Sequence, residues 1–200
     1  MSISNPAITT SSSHRKRSLT AGVFYLLTFV SIPTLFLYNP VKSANYIVGT
    51  GLDTRAIIGA ILEIIVALAG ISTAVVLFPM LKRLDESAAL GLVAARILES
   101  GTIFVGVAFL LSIVTLRKAE VGPDALVTGR ALVALYNRIF LLGQSFMPAI
   151  CDLLLGCLLY QSRLVPRRLS VIGIVGAPIL VAGYLAVLFG LVGQHAPWQA

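Results

Sequence analysis

The chain has 200 residues, of which 58% are hydrophobic and 12% are charged, and its formal net charge is +7. Soluble domains carry about 25% charged residues, so this composition excludes a soluble globular protein. A positive net charge is typical of nucleic-acid binding, but here the basic residues lie at the ends of apolar runs. We therefore expect a lipid bilayer around the chain and no nucleic-acid partner.

Five apolar stretches reach the length of about 20 residues that a helix needs to cross the hydrocarbon core of a bilayer. In chain order these predicted spans are Leu19–Tyr38, Ala56–Leu81, Ala88–Leu116, Leu132–Tyr160 and Val171–Val192. Three prolines inside them, Pro33, Pro148 and Pro178, predict helix kinks. The predicted fold class is all-α, a polytopic transmembrane helix bundle of about five spans.

The first span follows the basic segment "HRKR", as a signal peptide would. It exceeds the usual length of a signal-peptide core, and no A-x-A-like cleavage site follows it, so we expect an uncleaved span. The segment "MSISNPAITTSSS" before it is polar and lacks the apolar content to fold. We predict a disordered cytoplasmic tail over residues 1–18, a single transmembrane helical domain over 19–192 and a short outer tail over 193–200.

Lysine and arginine are unevenly distributed between the two predicted sides of the membrane. Eight lie on one side, namely Arg15, Lys16, Arg17, Lys82, Arg83, Arg163, Arg167 and Arg168. Five lie on the other side, namely Lys42, Arg55, Arg117, Lys118 and Arg130. The positive-inside rule therefore predicts a cytoplasmic N-terminus, and five spans then predict that Ala200 is external.

Small residues predict which helix faces pack together, because they let backbones approach closely in lipid. In the second span such residues surround Glu63, which places this carboxylate on the packing face; they are Ala56, Gly59, Ala60, Ala67, Gly70 and Ala74. In the fifth span Gly176, Gly183 and Gly190 recur every seven residues and predict a second packing face.

Charged residues inside the spans can be sorted by depth, at about 1.5 Å per helical residue. Glu63 and Arg138 are predicted to lie at one level, and Arg96 and Asp152 at another. Because a charge near the bilayer centre is costly, we expect each of these two pairs to lie within salt-bridge reach or one bridging water. Glu99 lies one turn beyond Arg96 and has no cation of its own.

The fourth span carries a polar stripe, because residues seven apart return to nearly the same face of a helix. Arg138, Ser145 and Asp152 form one such row, and Asn137, Gln144 and Cys151 form the row beside it. This span is therefore predicted to be central. The predicted polar seam, which is also the candidate ligand-binding site, consists of Glu63, Arg96, Glu99, Asn137, Arg138, Gln144, Ser145 and Asp152.

Glu99 allows two arrangements. Either Arg96 forks between Asp152 and Glu99, since a guanidinium has five donors, or Glu99 is protonated and donates a hydrogen bond itself. The fork is the favoured prediction, because Arg96 and Glu99 are already neighbours at i, i+3.

Two functional interpretations of the seam remain open. In the first, the seam holds a small ligand, a lipid headgroup or a proton in a binding or transport-like bundle, as charges inside a membrane usually indicate. In the second, the chain is a structural or accessory membrane protein whose ion pairs only fix helix packing. An intramembrane enzyme is the weakest alternative. His14 and His195 are the only histidines and lie outside the spans, so we expect no catalytic residue, metal or cofactor.

Four stretches of the sequence resemble a family of bacterial multi-pass membrane proteins catalogued as domain of unknown function 4386. They are "GLDTRAIIGAILE", "TAVVLFPMLKR", "LVAARILES" and "SRLVPRRLSVIGIVGAP", and the likeness extends from Arg17 to Val192. The resemblance implies a compact helical bundle in the bacterial plasma (inner) membrane and assigns no catalytic residue. It also implies a further helix after "GQHAPWQ", so this chain is expected to be either a shortened version or one that lacks its final helix.

Overall fold

A computed structural model describes residues 6–29, 31–38, 40–43, 46–47, 53–119, 125–162 and 165–192, with the side chains of 6–14, 16, 31, 32 and 35 left aside. Within these ranges every regular element is helical. The elements are α1 (Pro6–Thr28), α2 (Ser31–Tyr38), α3 (Asp53–Leu81), α4 (Glu86–Lys118), α5 (Ala125–Phe140), a π-helical segment (Leu141–Phe146), α6 (Met147–Ser162) and α7 (Arg167–Leu188). The all-α prediction is confirmed.

Four helices are long and apolar enough to cross a membrane: α3, α4, α7 and the continuous helix that α5, the π-helical segment and α6 form together. They correspond to the second to fifth predicted spans. The turn between α3 and α4 is short, because α3 ends at Leu81 and α4 begins at Glu86. Asp85 caps the start of α4, because its side chain accepts a hydrogen bond from the backbone N–H of Ala88 at 3.0 Å.

The first predicted span, Leu19–Tyr38, is divided into two helices, α1 and α2. Pro33 explains the division, because a proline ring clashes with the carbonyl four residues earlier when a helix continues through it. Helix α1 begins at Pro6, where a proline is tolerated in the first turn. The segment predicted to be a disordered tail is therefore helical from residue 6 onward, and its first five residues lie outside the described ranges.

Helix α4 lies between α3 and the continuous helix that runs from α5 to α6. It packs against α3, α5, the π-helical segment and α6, whereas α1 and α2 pack on α3, and α7 packs on α6 and the π-helical segment. In the most apolar part of each helix, 39% of the residues of α4 are buried, and 6% of the residues of α7. Counted by spans, α4 packs mainly on α3 and the continuous helix, and the continuous helix packs mainly on α4 and α7. The central position of the fourth span therefore stays a prediction.

The two predicted packing faces have different outcomes. On α3, Glu63 and all six of the small residues around it are buried, which confirms the first face. On α7, a methyl group added at Gly176 or Gly183 would meet nothing within 4 Å, so this face does not pack within the described residues. The close contact of α7 lies elsewhere, where Gly173 approaches Gly156 of α6.

Candidate functional site

Glu63 accepts hydrogen bonds from two neutral side chains on other elements. Its carboxylate is buried in the bundle, with 2% of the residue exposed. The Thr34 hydroxyl of α2 donates to Oε1 at 2.8 Å, and the Gln144 amide of the π-helical segment donates to Oε2 at 2.8 Å. We call Thr34, Lys42, Glu63 and Gln144 the Glu63 cluster. It joins three helical elements inside the membrane-spanning part of the fold.

Lys42 supplies the positive charge of this cluster. It lies in the turn after α2 and interacts electrostatically with Glu63, without an ion pair within 4.0 Å. Its ammonium lies 4.4 Å from the centroid of the Tyr136 ring, a cation–π contact. Burial lowers the pKa of Lys42, and the carboxylate of Glu63 opposes that shift. Sequence reasoning assigned Lys42 to an outer loop, and no sequence signal indicated that this loop turns back into the bundle.

Two tyrosines complete the surroundings of Glu63. The rings of Tyr38 and Tyr136 meet edge to face, with their centroids 6.0 Å apart, and both residues are buried. Their hydroxyl groups have no hydrogen-bond partner among the described residues. Buried hydroxyls normally have partners, so this side of the cluster can hydrogen-bond a further polar group.

The predicted pair between Glu63 and Arg138 is wrong. Arg138 is exposed on α5, and Glu63 is bonded by Gln144 of the same continuous helix instead. Gln144 lies in the π-helical segment, where the N–H of Met147 bonds to the carbonyl of Leu142. This wider turn changes the angular phase of the helix, so a spacing of seven no longer preserves the face.

The second polar group, which we call the Arg96 cluster, consists of Arg96, Glu99, Cys151 and Asp152. Arg96 Nη1 lies 2.9 Å from Glu99 Oε2, and 13% of each side chain is exposed. The Cys151 thiol lies 3.5 Å from the same carboxylate oxygen. Asp152 interacts electrostatically with Arg96 but forms no ion pair with it within 4.0 Å.

These distances correct one prediction about Arg96, because the guanidinium does not fork between two carboxylates. Arg96 and Asp152 interact electrostatically without a direct ion pair, so their contact through one bridging water stays a prediction. The guanidinium bonds to Glu99 alone, because a neighbour at i, i+3 on the same helix is reached without any movement of another helix. The remaining seam residues, Asn137 and Ser145, are half-buried, and their part in the seam stays a prediction.

Sequence reasoning missed a third polar group, the Asp53 cluster of Tyr46, Asp53 and Arg117. Arg117 at the end of α4 reaches Asp53 at the start of α3 at 2.8 Å, and the Tyr46 hydroxyl donates to the same oxygen at 2.7 Å. The guanidinium also lies over the Tyr46 ring, 4.7 Å from its centroid. The antiparallel arrangement of the second and third spans was a signal for this pair, because it brings the start of α3 beside the end of α4.

Within the described part of the chain, no group of three or more His, Cys, Asp or Glu residues is placed to hold a metal ion. Cys151 is buried and Cys157 is half-buried, and neither forms a disulfide. The three clusters contain carboxylates, hydroxyls, an amide, a thiol, an ammonium group and two guanidinium groups.

One comparison with known proteins gives a match. A family model described as "Domain of unknown function (DUF4386)" matches residues 20–200, which is most of the chain. No curated protein and no solved structure matches the chain. The family resemblance predicted from the four sequence stretches is confirmed.

Proposed function

We propose that this chain, which belongs to the DUF4386 family, is a multi-pass protein of the bacterial inner membrane that binds a proton reversibly at Glu63. Its N-terminus is cytoplasmic in this proposal, in line with the excess of basic residues on that side. The bundle is transport-like, because the proton site lies between helices.

The observation that carries the proposal is the chemical nature of the partners of Glu63. A buried carboxylate is costly unless it is paired, and here both hydrogen bonds come from neutral groups. A hydroxyl can rotate from donor to acceptor, and an amide can offer either its nitrogen or its oxygen. Thr34 and Gln144 therefore suit both the ionised and the protonated carboxyl group, whereas an arginine partner only donates and would favour the ionised form.

The position of Gln144 gives further support. It lies in a single π-helical turn, an element that occurs frequently at functional sites. Pro148 lies just beyond this turn and removes a backbone donor from it, so the local structure follows from the sequence. The turn directs the Gln144 amide toward Glu63, where a regular helix with the same residues would present another face.

Proton flux into liposomes tests the transport-like part of the proposal. Purified protein is reconstituted with an internal pH-sensitive dye, and a potassium gradient with valinomycin drives proton entry. We expect flux with the wild type and with the control Glu86→Gln, an exposed carboxylate on α4. Glu63→Gln is expected to conduct no faster than protein-free liposomes, and wild-type flux from this variant would contradict the proposal.

A small polar ligand at the same cluster is the second candidate, and the unpartnered hydroxyls of Tyr38 and Tyr136 favour it. A ligand that bonds to these hydroxyls and to Glu63 would satisfy all three groups. Native mass spectrometry of gently purified protein tests this candidate. A molecule retained by the wild type and by Glu86→Gln, but lost from Glu63→Gln, would identify the ligand; equal retention in both variants would contradict binding at Glu63.

A further inference from the structure

A groove lies between α1 and the α6–α7 pair, away from the Glu63 cluster. Its volume is about 530 Å³, within the range of about 300–1,000 Å³ that is usual for small-molecule sites. Half of its lining residues are leucines and isoleucines of α6 and α7, and three more are glycines. Three side chains interrupt the apolar wall, those of Tyr25, Asp152 and Ser170.

Asp152 gives the groove a negative charge that the neighbouring cation does not balance. The Arg96 cluster contains two carboxylates and one guanidinium, and the guanidinium is bonded to Glu99 at 2.9 Å. Asp152 forms no ion pair within 4.0 Å in the described part of the chain, although it is only half-buried and lines the groove. A cationic group in the groove would supply its missing counter-charge.

Ser170 is an independent sign of a ligand site. It is 3% exposed, it lines the groove, and its hydroxyl has no hydrogen-bond partner in the described residues. Ser170 lies near Asp152, because α6 and α7 pack closely here. A methyl group added at Gly156 would lie 3.2 Å from the Ser170 carbonyl oxygen. A methyl group added at Gly173 would lie 3.4 Å from the Asp152 carbonyl oxygen. A carboxylate and a hydroxyl thus lie close together in the wall of an apolar groove.

Tyr25 adds an aromatic face. Its ring lines the groove from α1, and 43% of the residue is exposed. Aromatic faces attract ammonium groups, most strongly where water is excluded. The Tyr25 ring meets the Phe29 ring edge to face, with the centroids 6.0 Å apart. Among the described residues, the cation–π contacts use other aromatic rings.

We infer that this groove binds an amphipathic amine, with the ammonium group between Asp152 and Tyr25 and the hydrocarbon chain along the leucines and isoleucines of α6 and α7. The chain as a whole carries a net charge of +7, which disfavours cations in general. Preference for a cation therefore has to come from the groove itself. This site is separate from Glu63, so a negative result for the groove would not contradict the proposal that Glu63 binds a proton.

Electron paramagnetic resonance of spin-labelled long-chain molecules tests the inference on the full chain in phosphatidylcholine vesicles. The probe is a spin-labelled long-chain primary ammonium, whose N–H groups can donate to Asp152, and its control is a spin-labelled fatty acid of similar length. We expect the protein to restrict the ammonium probe more than the anionic probe. Equal restriction of both, or stronger restriction of the anion, would overturn the inference, because ordinary lipid contact with a basic protein gives that result.

Two variants identify the site. Asp152→Asn should weaken the association of the ammonium probe roughly tenfold, as loss of a charged hydrogen-bond partner usually does, while Glu86→Gln should not change it. Gly176 lines the groove with open space beside it, so Gly176→Leu should fill the groove and release the probe without altering Asp152. Gly183→Leu, on the same helix but outside the groove, is its matched control. Binding that survives both Asp152→Asn and Gly176→Leu would overturn the inference.

Discussion

Asp53 and Glu63 are two carboxylates of the same helix, and their partners are of different kinds. Asp53 faces a guanidinium and a phenol, at 2.8 and 2.7 Å, both from outside α3. Glu63 faces a hydroxyl and an amide, both at 2.8 Å. Arginine stays charged at any ordinary pH, so the Asp53 cluster favours a single protonation state. The neutral partners of Glu63 suit both its ionised and its protonated state, as a proton-binding site requires.

The comparison separates architecture from function within one molecule. The Asp53 cluster connects the start of α3, the end of α4 and the turn before α3, so its loss should loosen the bundle. The Glu63 cluster is more deeply buried, yet it contains no ion pair in the described residues. Its charge should therefore contribute little to stability, and its loss should be felt in function. The predictions below test these two expectations by the free energy of unfolding, measured by titration with sodium dodecyl sulfate in mixed micelles.

The largest expected effect is that of Gly143→Ala, which disturbs the position of Gln144 without changing any charge. A Cβ at Gly143 would overlap Thr102 Oγ1 of α4 and would lie 2.6 Å from Thr102 Cβ. Because the β-carbon of Thr102 cannot move without the helix, we expect a loss of about 3 kcal/mol. Gly176→Ala, where the added methyl meets nothing within 4 Å, is the matched control. Equal stability of the two variants would show that the π-helical segment is not packed on α4 as described.

Asp53→Asn should have the next largest effect. The amide keeps the shape of the side chain and removes its charge, which leaves the Arg117 guanidinium, 13% exposed, without its counter-charge. We expect a loss of about 2 kcal/mol, reduced from the value for a fully buried pair because Asp53 is partly exposed. Arg55→Ala, on the exposed face of the same helix, should leave stability unchanged. If Asp53→Asn were as stable as the wild type, the architectural role of this cluster would be lost.

Tyr46→Phe should cost less, about 1 kcal/mol, because it removes one hydrogen bond to Asp53. It should also change the dependence of stability on pH. Burial raises the pKa of Tyr46, and its hydrogen bond to Asp53 raises it further. The ordinary pKa of tyrosine is about 10, and the folded-state pKa of Tyr46 lies above it. The protonated hydroxyl therefore stabilises the fold fully below about pH 10, and this contribution is lost as the pH rises through the folded-state pKa. The variant should therefore lose less stability than the wild type between pH 9 and about pH 11; parallel curves would contradict this account.

Glu63→Gln should have the smallest effect on stability, although Glu63 is the most buried of the charged groups described here. Replacing a desolvated charge by a neutral group of the same shape is often neutral or stabilising, and an amide can still bond to Thr34 and Gln144. We expect a change of less than about 1 kcal/mol. A loss as large as that of Asp53→Asn would mean that the Glu63 cluster is architectural as well.

The sequence predicted the burial of Glu63 but not the residues that bond to it. Alanine and glycine around Glu63 correctly placed it on a packing face, because small residues directly report close helix contact. Its partners could not be read from the sequence, since depth alone does not fix the angle at which a side chain leaves a helix. Arg138 has the right depth, but the π-helical turn brings Gln144 to the carboxylate in its place.

Other errors have similar physical origins. Pro33 was expected to kink the first span, and the structure shows a complete division into α1 and α2, which positions Thr34 beside Glu63. Lys42 lies in a turn, and turns have no apolar periodicity from which its contact with Tyr136 could be predicted. The ends of the four long spans were predicted to within four residues, because length and hydropathy determine them almost alone. The exception is the start of the fourth span, which was predicted at Leu132 and lies at Ala125.

Infrared difference spectroscopy across pH tests the central claim, that Glu63 changes its protonation state inside the folded protein. A buried carboxyl group that takes up a proton gains a carbonyl stretching band, and that band disappears when the proton is released. In reconstituted protein we expect a reversible band of this kind in the wild type and in Glu86→Gln, and its loss in Glu63→Gln, which should remain folded. The same band in Glu63→Gln would assign the proton to another carboxylate and contradict the claim.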